Sequence, residues 1–303
     1  MTPEPATPPL TWLYVPGDRP ETVAKALRCG ADVLLVDLED AVAADRKDYA
    51  LRATSELLAD PAPGPSPVHV RVNALDGPLA EREIRTLAGL PGLAGLRLPK
   101  VQRAADVHRA AAWATVRPRV AVRTGPAAGA TTALAPRPAP LPALHALLES
   151  ALGIEHAFAI ATAHPALRGI ALGEADLRAE LGVRDEAGLA WPRSRTVVAA
   201  RAAGLAPPPQ SVHPDVRDTD GLARSCAQGR DLGFLGRAAI HPRQLPVIEA
   251  AYRPSAAEIE AAQEVVGAAA TEAGALALPD GRFVDAAVVA GARRVLALAG
   301  RGR

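Results

Sequence analysis

The chain has 303 residues, of which 49% are apolar, and its 34 Lys and Arg residues nearly balance its 33 Asp and Glu residues, leaving a net charge of +1. This length and apolar content are sufficient for one large α/β domain or two smaller ones. A balanced charge excludes a bulk electrostatic field that would favour nucleic acid or an anionic membrane. We therefore expect small-molecule ligands, with neither nucleic acid nor a membrane as a partner.

The cysteines and the amino-terminal segment indicate the cellular compartment. Cys29 and Cys226 lie far apart and lack the spacing of a metal site. Residues 1–10 lack the charged-then-apolar pattern of a signal peptide, and no uninterrupted apolar run approaches the roughly 20 residues of a membrane span. These features predict a cytoplasmic protein with reduced thiols.

Eight short apolar runs that end in polar residues predict eight β-strands. In chain order they are WLYVPGDR, VLLVDLED, VHVRVN, GLRLPK, LHALLES, GIALGEAD, QSVHPD and AAIHPRQ. Segments with helical spacing separate most of them. This alternation predicts an α/β fold, a (β/α)8 TIM barrel over residues 1–250, with its active site at the carboxyl ends of the strands. An open doubly wound sheet is the alternative, but no glycine-rich phosphate-binding motif supports it.

Two segments depart from this repeat. Residues 117–142 are rich in Pro, Gly, Ala and Thr, which predicts a flexible loop before the fifth strand. After the eighth strand, residues 255–272 predict a helix with a serine N-cap, and a final helix is expected from about Asp285. We expect residues 251–303 to form a C-terminal helical extension, a lid that covers a site or contacts a neighbouring subunit.

Carboxylates are concentrated at the ends of the predicted strands. Asp37 and Glu39 share one face of the second strand, and Asp40 begins the loop that follows it. Glu149 and Asp176 end the fifth and sixth strands. Closely packed carboxylates resist burial unless a cation, hydrogen-bond donors or solvent meets them. Such oxygen ligands suit Mg²⁺, although each acid taken alone can equally be a helix cap or part of a surface ion pair.

Basic residues occupy the same predicted rim. Arg19 follows the first strand, Arg71 lies in the third, and Lys100 follows the fourth. An arginine facing the barrel mouth needs an anionic partner, and both a substrate carboxylate or enolate and the local acids qualify. Lys100 is also a candidate Schiff-base nucleophile, but the surrounding acids would keep its amine protonated.

The succession of short motifs resembles the citrate lyase β-subunit-like proteins, the acyl-CoA lyase branch of the HpcH/HpaI aldolase and citrate lyase superfamily. In order, the motifs are LYVPGDRPE, DLEDAV, RVN, LPKV, LLESALGI, LGEADL, RSRTVVAARAAGL, LGFLGRAAIHPRQ and GRFVDAAVV. The resemblance covers the chain from about Thr11 to Leu296, with an interruption at 117–142. The resemblance implies a TIM-barrel enzyme that depends on Mg²⁺, with Mn²⁺ as an alternative metal, and that forms a homo-oligomer, a trimer or hexamer.

The resemblance also implies roles for individual residues. It makes Glu149 and Asp176 the metal ligands. It assigns Arg71, Asp285, Glu39 and Asp40 to catalysis, and Arg19, Lys25, Arg71 and Asp37 to contacts with the substrate and CoA. Asp285 would act as an acid and base from the lid, in the site of a neighbouring subunit.

The reaction implied is a reversible Claisen-type cleavage of a β-hydroxyacyl-CoA, such as malyl-CoA, citramalyl-CoA or HMG-CoA, into an acyl-CoA and an oxo acid. Arg71 would stabilise the thioester enolate, and Asp285 would move the proton at the enolate carbon. The alternatives are hydrolysis of the thioester, a citrate lyase β subunit acting on citryl-acyl carrier protein in a multi-enzyme complex, and a catalytically weak barrel that binds acyl-CoA.

Overall fold

A parallel sheet of seven strands organises the chain, for which a computed structural model describes residues 8–115, 141–271, 276–278 and 280–300. The strands are β1 (Thr11–Pro16), β2 (Val33–Asp37), β3 (Val68–Arg71), β4 (Leu93–Leu98), β5 (Ala143–Leu148), β6 (Leu167–Leu172) and β7 (Arg237–Ala239). Their order in the sheet is β6-β5-β4-β3-β2-β1-β7, and every neighbouring pair is parallel. Of the loop predicted at 117–142, residues 117–140 lie outside the described part of the chain.

Helices follow most of the strands. They are α1 (Pro20–Ala26), α2 (Lys47–Leu58), α3 (Ala80–Leu87), α4 (Ala104–Ala114), α5 (Ala151–Glu155), α6 (Ala157–Ala161), α7 (Glu174–Leu181), α8 (Ala190–Ala202), α9 (Thr219–Asp231), α10 (Leu245–Tyr252), α11 (Ala256–Thr271) and α12 (Ala286–Ala299). None of the helices in the described part of the chain is both long and apolar enough to cross a membrane.

Both faces of the sheet are buried, which explains the strongly apolar strands. All five residues of β2 are buried, as expected for a parallel strand covered on both sides. The main apolar cluster includes Leu34 and Val36, whereas Trp12, Val33 and Leu35 form a separate small cluster with Tyr14. Because successive strand residues point to opposite faces, the first cluster lies under the helices and the second inside the curl of the sheet.

The prediction of a strand at QSVHPD, the seventh of the eight, is wrong. In the described residues this segment contributes one isolated bridge, between Gln210 and Arg237 of β7. The physical reason is the run of prolines at 207–209, which has no backbone N–H groups to donate to a strand ladder. The segment nevertheless lies near β6 as well, since the N–H of Glu174 donates to the hydroxyl of Ser211 (3.2 Å). The observed architecture is therefore a seven-stranded curled sheet with this segment beside its β7 edge.

The C-terminal extension has an apolar cluster of its own. Helices α11 and α12 pack on each other, and a two-stranded antiparallel ribbon of β8 (Leu276–Ala277) and β9 (Phe283–Val284) lies between them in sequence. Val265, Leu278, Val284 and Ala292 are among the buried residues of this cluster. An ion pair between Arg230 of α9 and Glu258 of α11 (2.6 Å) links the extension to the rest of the chain.

Candidate active site

A cavity of about 390 Å³ opens at the carboxyl ends of the strands, where the sequence predicts the site. Seven charged residues at the ends of successive strands border it: Asp37, Asp40, Arg71, Arg97, Glu149, Glu174 and Asp176. We call it the upper cavity. A second cavity of about 330 Å³ adjoins it and shares Glu149 and Asp176 as lining residues, with Lys100 on its wall. The two predicted metal ligands thus border both spaces.

Arg71 neutralises the acids that follow β2. Its side chain points into the curl of the sheet, where Nε and Nη2 donate to the two oxygens of Asp37 (2.8 and 2.7 Å). Its Nη1 also donates to Asp40 (3.3 Å) and lies 2.9 Å from Oε2 of Glu39, in an ion pair that is not aligned for a hydrogen bond. The register places Asp37 opposite Arg71 on adjacent strands, so the sheet itself brings the pair together. Pairing with the local acids is therefore observed for Arg71, which also remains on the cavity wall.

Lys100 pairs with Glu39 across the rim. Its ammonium donates to Oε1 of Glu39 (2.6 Å) and lies 3.8 Å from Asp40. Burial lowers the pKa of Lys100, but the hydrogen bond and charge of Glu39 outweigh this and raise the pKa overall. A raised pKa keeps the amine protonated, which argues against the Schiff-base role considered from the sequence.

The backbone around β5 and β6 places Glu149 at the cavity wall. Oε2 of Glu149 accepts a hydrogen bond from the backbone N–H of Lys100 (2.8 Å), a residue held at φ +52°. A non-glycine residue in this left-handed region is uncommon and typical of functional sites. On the other side, a Cβ atom at Gly173 would lie 2.3 Å from Cγ of Glu149. Glycine is therefore required there for Glu149 to occupy its position.

In the described residues no cationic side chain pairs with Glu149 or Asp176, unlike the other acids of this site. In the described residues Asp176 makes no hydrogen bond or ion pair, and Oε1 of Glu149 accepts none. Burial, and after it the charge of Glu39, raises the pKa of Glu149 to about 7. In the described part of the chain, no three His, Cys, Asp or Glu side chains are grouped so that they could hold one metal ion. Two free carboxylates suit Mg²⁺, which typically takes one or two protein ligands and leaves its other positions to water and substrate.

Two arginines were not selected from the sequence: Arg97, which lines this cavity, and Arg193, which pairs with the lining residue Glu174. Arg193 of α8 donates to both oxygens of Glu174 (2.8 and 2.6 Å), so the acid two residues before Asp176 is already neutralised. Arg97 of β4 is 3% exposed and lies beside Arg71 in the sheet register. The inward direction of Arg97 was readable from the apolar residues that flank it, Leu96 and Leu98, by the same alternation that applies to Arg71.

Three predicted site residues lie apart from the two cavities. Arg19 and Lys25 are exposed at the two ends of α1 and line neither cavity. Asp285 caps the N-terminus of α12, where its carboxylate accepts hydrogen bonds from the backbone N–H groups of Ala287 and Val288 (both 2.9 Å). Within one chain, Asp285 lines neither the upper cavity nor the second cavity.

Comparison with known proteins identifies the family. The family model described as HpcH/HpaI aldolase/citrate lyase matches residues 10–242, more than half of the chain. The chain belongs to this family. A (3S)-malyl-CoA thioesterase of Cereibacter sphaeroides is 36% identical over 293 residues, covering 95% of this chain and 93% of the relative. The citrate lyase subunit beta of Leuconostoc mesenteroides subsp. cremoris is 34% identical over 295 residues, covering 95% and 92%.

A solved structure of the same family agrees with the fold. The crystal structure of protein CitE from Mycobacterium tuberculosis in complex with magnesium, acetoacetate and coenzyme A has a TM-score of 0.77 and 33% sequence identity, covering 98% of this chain and 99% of that one. Membership of the HpcH/HpaI aldolase/citrate lyase family confirms the resemblance drawn from the motifs and makes the chain an enzyme of the carbon-carbon lyase type.

Proposed function

We propose that the chain cleaves, or forms in reverse, the C–C bond of a β-hydroxyacyl-CoA such as malyl-CoA, citramalyl-CoA or HMG-CoA, giving an acyl-CoA and an oxo acid. The observation that carries this proposal is the pair of unneutralised carboxylates, Glu149 and Asp176, beside Arg71 on the wall of one cavity. A β-hydroxyacyl-CoA presents both a carboxylate with a neighbouring oxygen and a thioester. The site therefore offers a cation position for the first group and a guanidinium for the second.

Glu149 and Asp176 would hold Mg²⁺, or Mn²⁺ in its place, through their free oxygens. When bound, the cation would supply Lewis-acid polarisation of the oxygens in the acid half of the substrate. Glu39 and Asp40 hold Arg71 and Lys100 in place through ion pairs, and we assign them a positioning role beside the metal. The magnesium in the CitE complex supports this assignment.

Arg71 would stabilise the enolate oxygen of the thioester as the C–C bond breaks. The pairing of Nε and Nη2 with Asp37 fixes the guanidinium plane, which spares reorganisation when negative charge develops on the substrate. Asp37 thus acts on the substrate through Arg71. We propose that the exposed cations Arg19 and Lys25, beyond the end of β1, contact the CoA portion.

We further propose that Asp285 moves the proton at the enolate carbon in the site of a neighbouring subunit, with α11 and α12 as the lid. Its separation from the upper cavity within one chain supports an arrangement that only an oligomer completes. Mixing two inactive variants, Glu149→Gln and Asp285→Asn, tests this. If subunits share sites, the mixed oligomers regain about a quarter to a half of the turnover expected for intact sites. Turnover that stays at the level of the separate variants would contradict the shared site.

Hydrolysis of the thioester is the second candidate, and the (3S)-malyl-CoA thioesterase relative favours it. The two reactions differ in their products, since a lyase yields an acyl-CoA and an oxo acid whereas a thioesterase yields free CoA and a β-hydroxy acid. The further alternatives, action on citryl-acyl carrier protein and acyl-CoA binding without turnover, predict no reaction with free CoA esters.

Product analysis separates these functions. The full-length protein is incubated with a panel of β-hydroxyacyl-CoA esters, with Mg²⁺ and with EDTA, and acyl-CoA, free CoA and the released acid are quantified. We expect acyl-CoA and oxo acid in stoichiometric amounts only with Mg²⁺. Free CoA as the sole CoA product would establish the thioesterase instead, and unchanged turnover in EDTA would remove the metal from the proposal.

A further inference from the structure

A cavity of about 290 Å³ lies at the amino-terminal ends of the strands, on the opposite side of the sheet interior from the candidate active site. We call it the lower cavity. Its charged and ionisable lining residues are all basic or neutral: His69, Arg97, His145 and Arg168. No Asp or Glu of the described residues lines it. The upper cavity, in contrast, is bordered by five acids. The side chain of Arg97 borders both spaces.

The sheet register builds this basic cluster. His69, Arg97 and His145 lie on the adjacent strands β3, β4 and β5 and point to the inner face, with Arg97 paired directly with His145. Glycines flank the two histidine rings: a Cβ atom at Gly95 would lie 2.9 Å from His69, and one at Gly169 would lie 2.9 Å from His145. The ring centroids of His69 and His145 are 4.9 Å apart. Barrel interiors are normally filled by branched apolar side chains, so polar residues on three successive strands are a departure that calls for an explanation.

Several buried nitrogen atoms at the lower cavity lack a hydrogen-bond partner in the described residues. Nε of Arg97, Nε1 of Trp12 and Nδ1 of His69 are buried without a hydrogen-bond partner in the described residues. All three side chains line the cavity, and each is more than nine-tenths buried. Buried N–H groups and, above all, a buried guanidinium are costly when they have no partner. Among the described residues no carboxylate lies within ion-pair distance of Arg97, so no ion pair there compensates its charge.

The histidines leave the positive charge of the lower cavity to the arginines. Burial, and then the charge of Arg97, lowers the pKa of His69 to about 3, and burial also holds the pKa of His145 well below its ordinary value. Both rings are therefore neutral at pH 7, and each can present one N–H to a ligand. Arg168 is exposed at the rim of the same cavity and adds a second cation.

We propose that the lower cavity binds a small oxyanion, a phosphate or a carboxylate, held by Arg97 and the indole N–H of Trp12 inside and by Arg168 at the rim. The cavity volume would hold such an ion together with several waters, since each water takes about 30 Å³. Binding of an anion at this site does not require the reaction proposed above. Because Arg97 also borders the upper cavity, an anion below it reduces the positive charge that a substrate meets there.

Calorimetric titration of inorganic phosphate into the full-length protein tests the site, with EDTA present and ionic strength held constant. We expect saturable binding of one phosphate per chain. Arg97→Met should weaken it by about tenfold or more and Arg168→Met by about three- to tenfold, because each removes a charged donor. Arg224→Met is the matched control, since Arg224 is exposed on α9 and borders neither cavity. A parallel titration of malonate distinguishes a carboxylate ligand from a phosphate.

The Arg97→Met variant is expected to fold, since replacing an unpaired buried charge with an apolar side chain of similar length is typically neutral or stabilising. Arg168→Met, at an exposed position that borders only the lower cavity, separates the two cavities. Loss of binding in both variants, with Arg224→Met unaffected, supports the site. The proposal is overturned if neither anion binds saturably, if Arg168→Met retains full affinity, or if all three substitutions weaken binding equally.

Discussion

The acids that follow β2 and those that follow β5 and β6 lie on one rim but meet different surroundings. Asp37, Glu39 and Asp40 share the cations Arg71 and Lys100. Glu149 receives only a backbone N–H, and Asp176 has no partner in the described residues. Each acid of the first group thus has a cationic partner in the protein, whereas in the described residues neither acid of the second group has one.

This difference separates carboxylates that stabilise the fold through ion pairs from carboxylates that are available to a ligand. Buried ion pairs around Arg71 fix side chains but leave little capacity for another cation, because their lone pairs are already occupied. Burial, and after it the charge of Glu39, raises the pKa of Glu149 to about 7, and in the described residues no cationic side chain pairs with it. We therefore propose the metal at the ends of β5 and β6, with the acids of β2 holding the guanidinium of Arg71 beside it.

The largest expected effects come from removing one carboxylate charge at a time from each of the two groups of acids. Glu149→Gln and Asp176→Asn should each lower Mg²⁺-dependent turnover by about 10³-fold or more and abolish saturable Mg²⁺ binding, because each removes a proposed ligand. Asp37→Asn should keep Mg²⁺ affinity within about threefold while lowering turnover through Arg71. Calorimetry with Mg²⁺ and a CoA-ester assay measure both effects.

Glu155→Gln makes the same chemical change at an exposed position and serves as the control. It should leave both quantities unaltered. Loss of Mg²⁺ binding in Asp37→Asn to the same extent as in Glu149→Gln would show that the two groups of acids are not distinct.

Arg71→Met removes the cation from the first group and should act on stability as well as turnover. Asp37 is 1% exposed and would lose its cationic partner, while Glu39, 5% exposed, would keep only Lys100. We expect the free energy of unfolding in urea to fall by about 3–5 kcal/mol. Arg46→Met is the matched control, since its partner Asp18 is 3.7 Å away and Arg46 is exposed, and it should cost no more than about 1 kcal/mol. Equal effects of the two substitutions would contradict a structural role for the Arg71 pairs.

Strand alternation and strand ends allowed this comparison to be predicted from the sequence in outline. They place Asp37 and Arg71 on one face of adjacent strands, and they bring Glu149 and Asp176 to the same rim. They fail at Gln210, because the three prolines before it remove the amides that a strand would need.

Other features of the site were not predicted, either because their signal in the sequence is weak or because a single sequence does not contain the information. Arg97 was missed because the chain is so rich in arginine that one more attracts no notice, although its flanking leucines carry the signal. The pairing of Lys100 with Glu39 depends on a backbone turn at φ +52°, which the lysine side chain does not predict. Whether Asp285 reaches a second subunit depends on how two chains dock, and sequence spacing within one chain says nothing about that.

Gly173→Ala tests the position of the proposed ligand Glu149 without changing any charge. The added Cβ atom would lie 2.3 Å from Cγ of Glu149, so the carboxylate must shift. We expect Mg²⁺ affinity and turnover to fall by about ten- to a hundredfold, since a displacement of about 1 Å in a site has effects of this size. Gly267→Ala in α11 meets no atom within 4 Å and should leave Mg²⁺ affinity unchanged. Full Mg²⁺ affinity in Gly173→Ala would show that Glu149 is free to bind metal from another position.

The smallest expected effect is the pH dependence that Glu149 gives to stability and to Mg²⁺ binding. Its pKa is raised from an ordinary 4.5 to about 7 in the folded protein, so folding favours the protonated form. The stabilisation from that proton is fully present below pH 4.5 and is lost as the pH rises through 7. Mg²⁺ requires the ionised carboxylate, so its apparent affinity should be about tenfold lower at pH 6 than at pH 8.

Thermal unfolding measures this linkage. At a fixed Mg²⁺ concentration well above the dissociation constant at both pH values, the midpoint should rise about 2 °C more at pH 8 than at pH 6, since a tenfold change in affinity is about 1.4 kcal/mol. The acids paired with Arg71 and Lys100 are not proposed ligands, so they should add little to the Mg²⁺-dependent part of the midpoint. Glu149→Gln should remove the Mg²⁺-induced shift at both pH values. An equal shift at pH 6 and pH 8 in the unmodified protein would mean that the ion does not compete with a proton on Glu149, and the distinction between the two groups of acids would then lose its electrostatic basis.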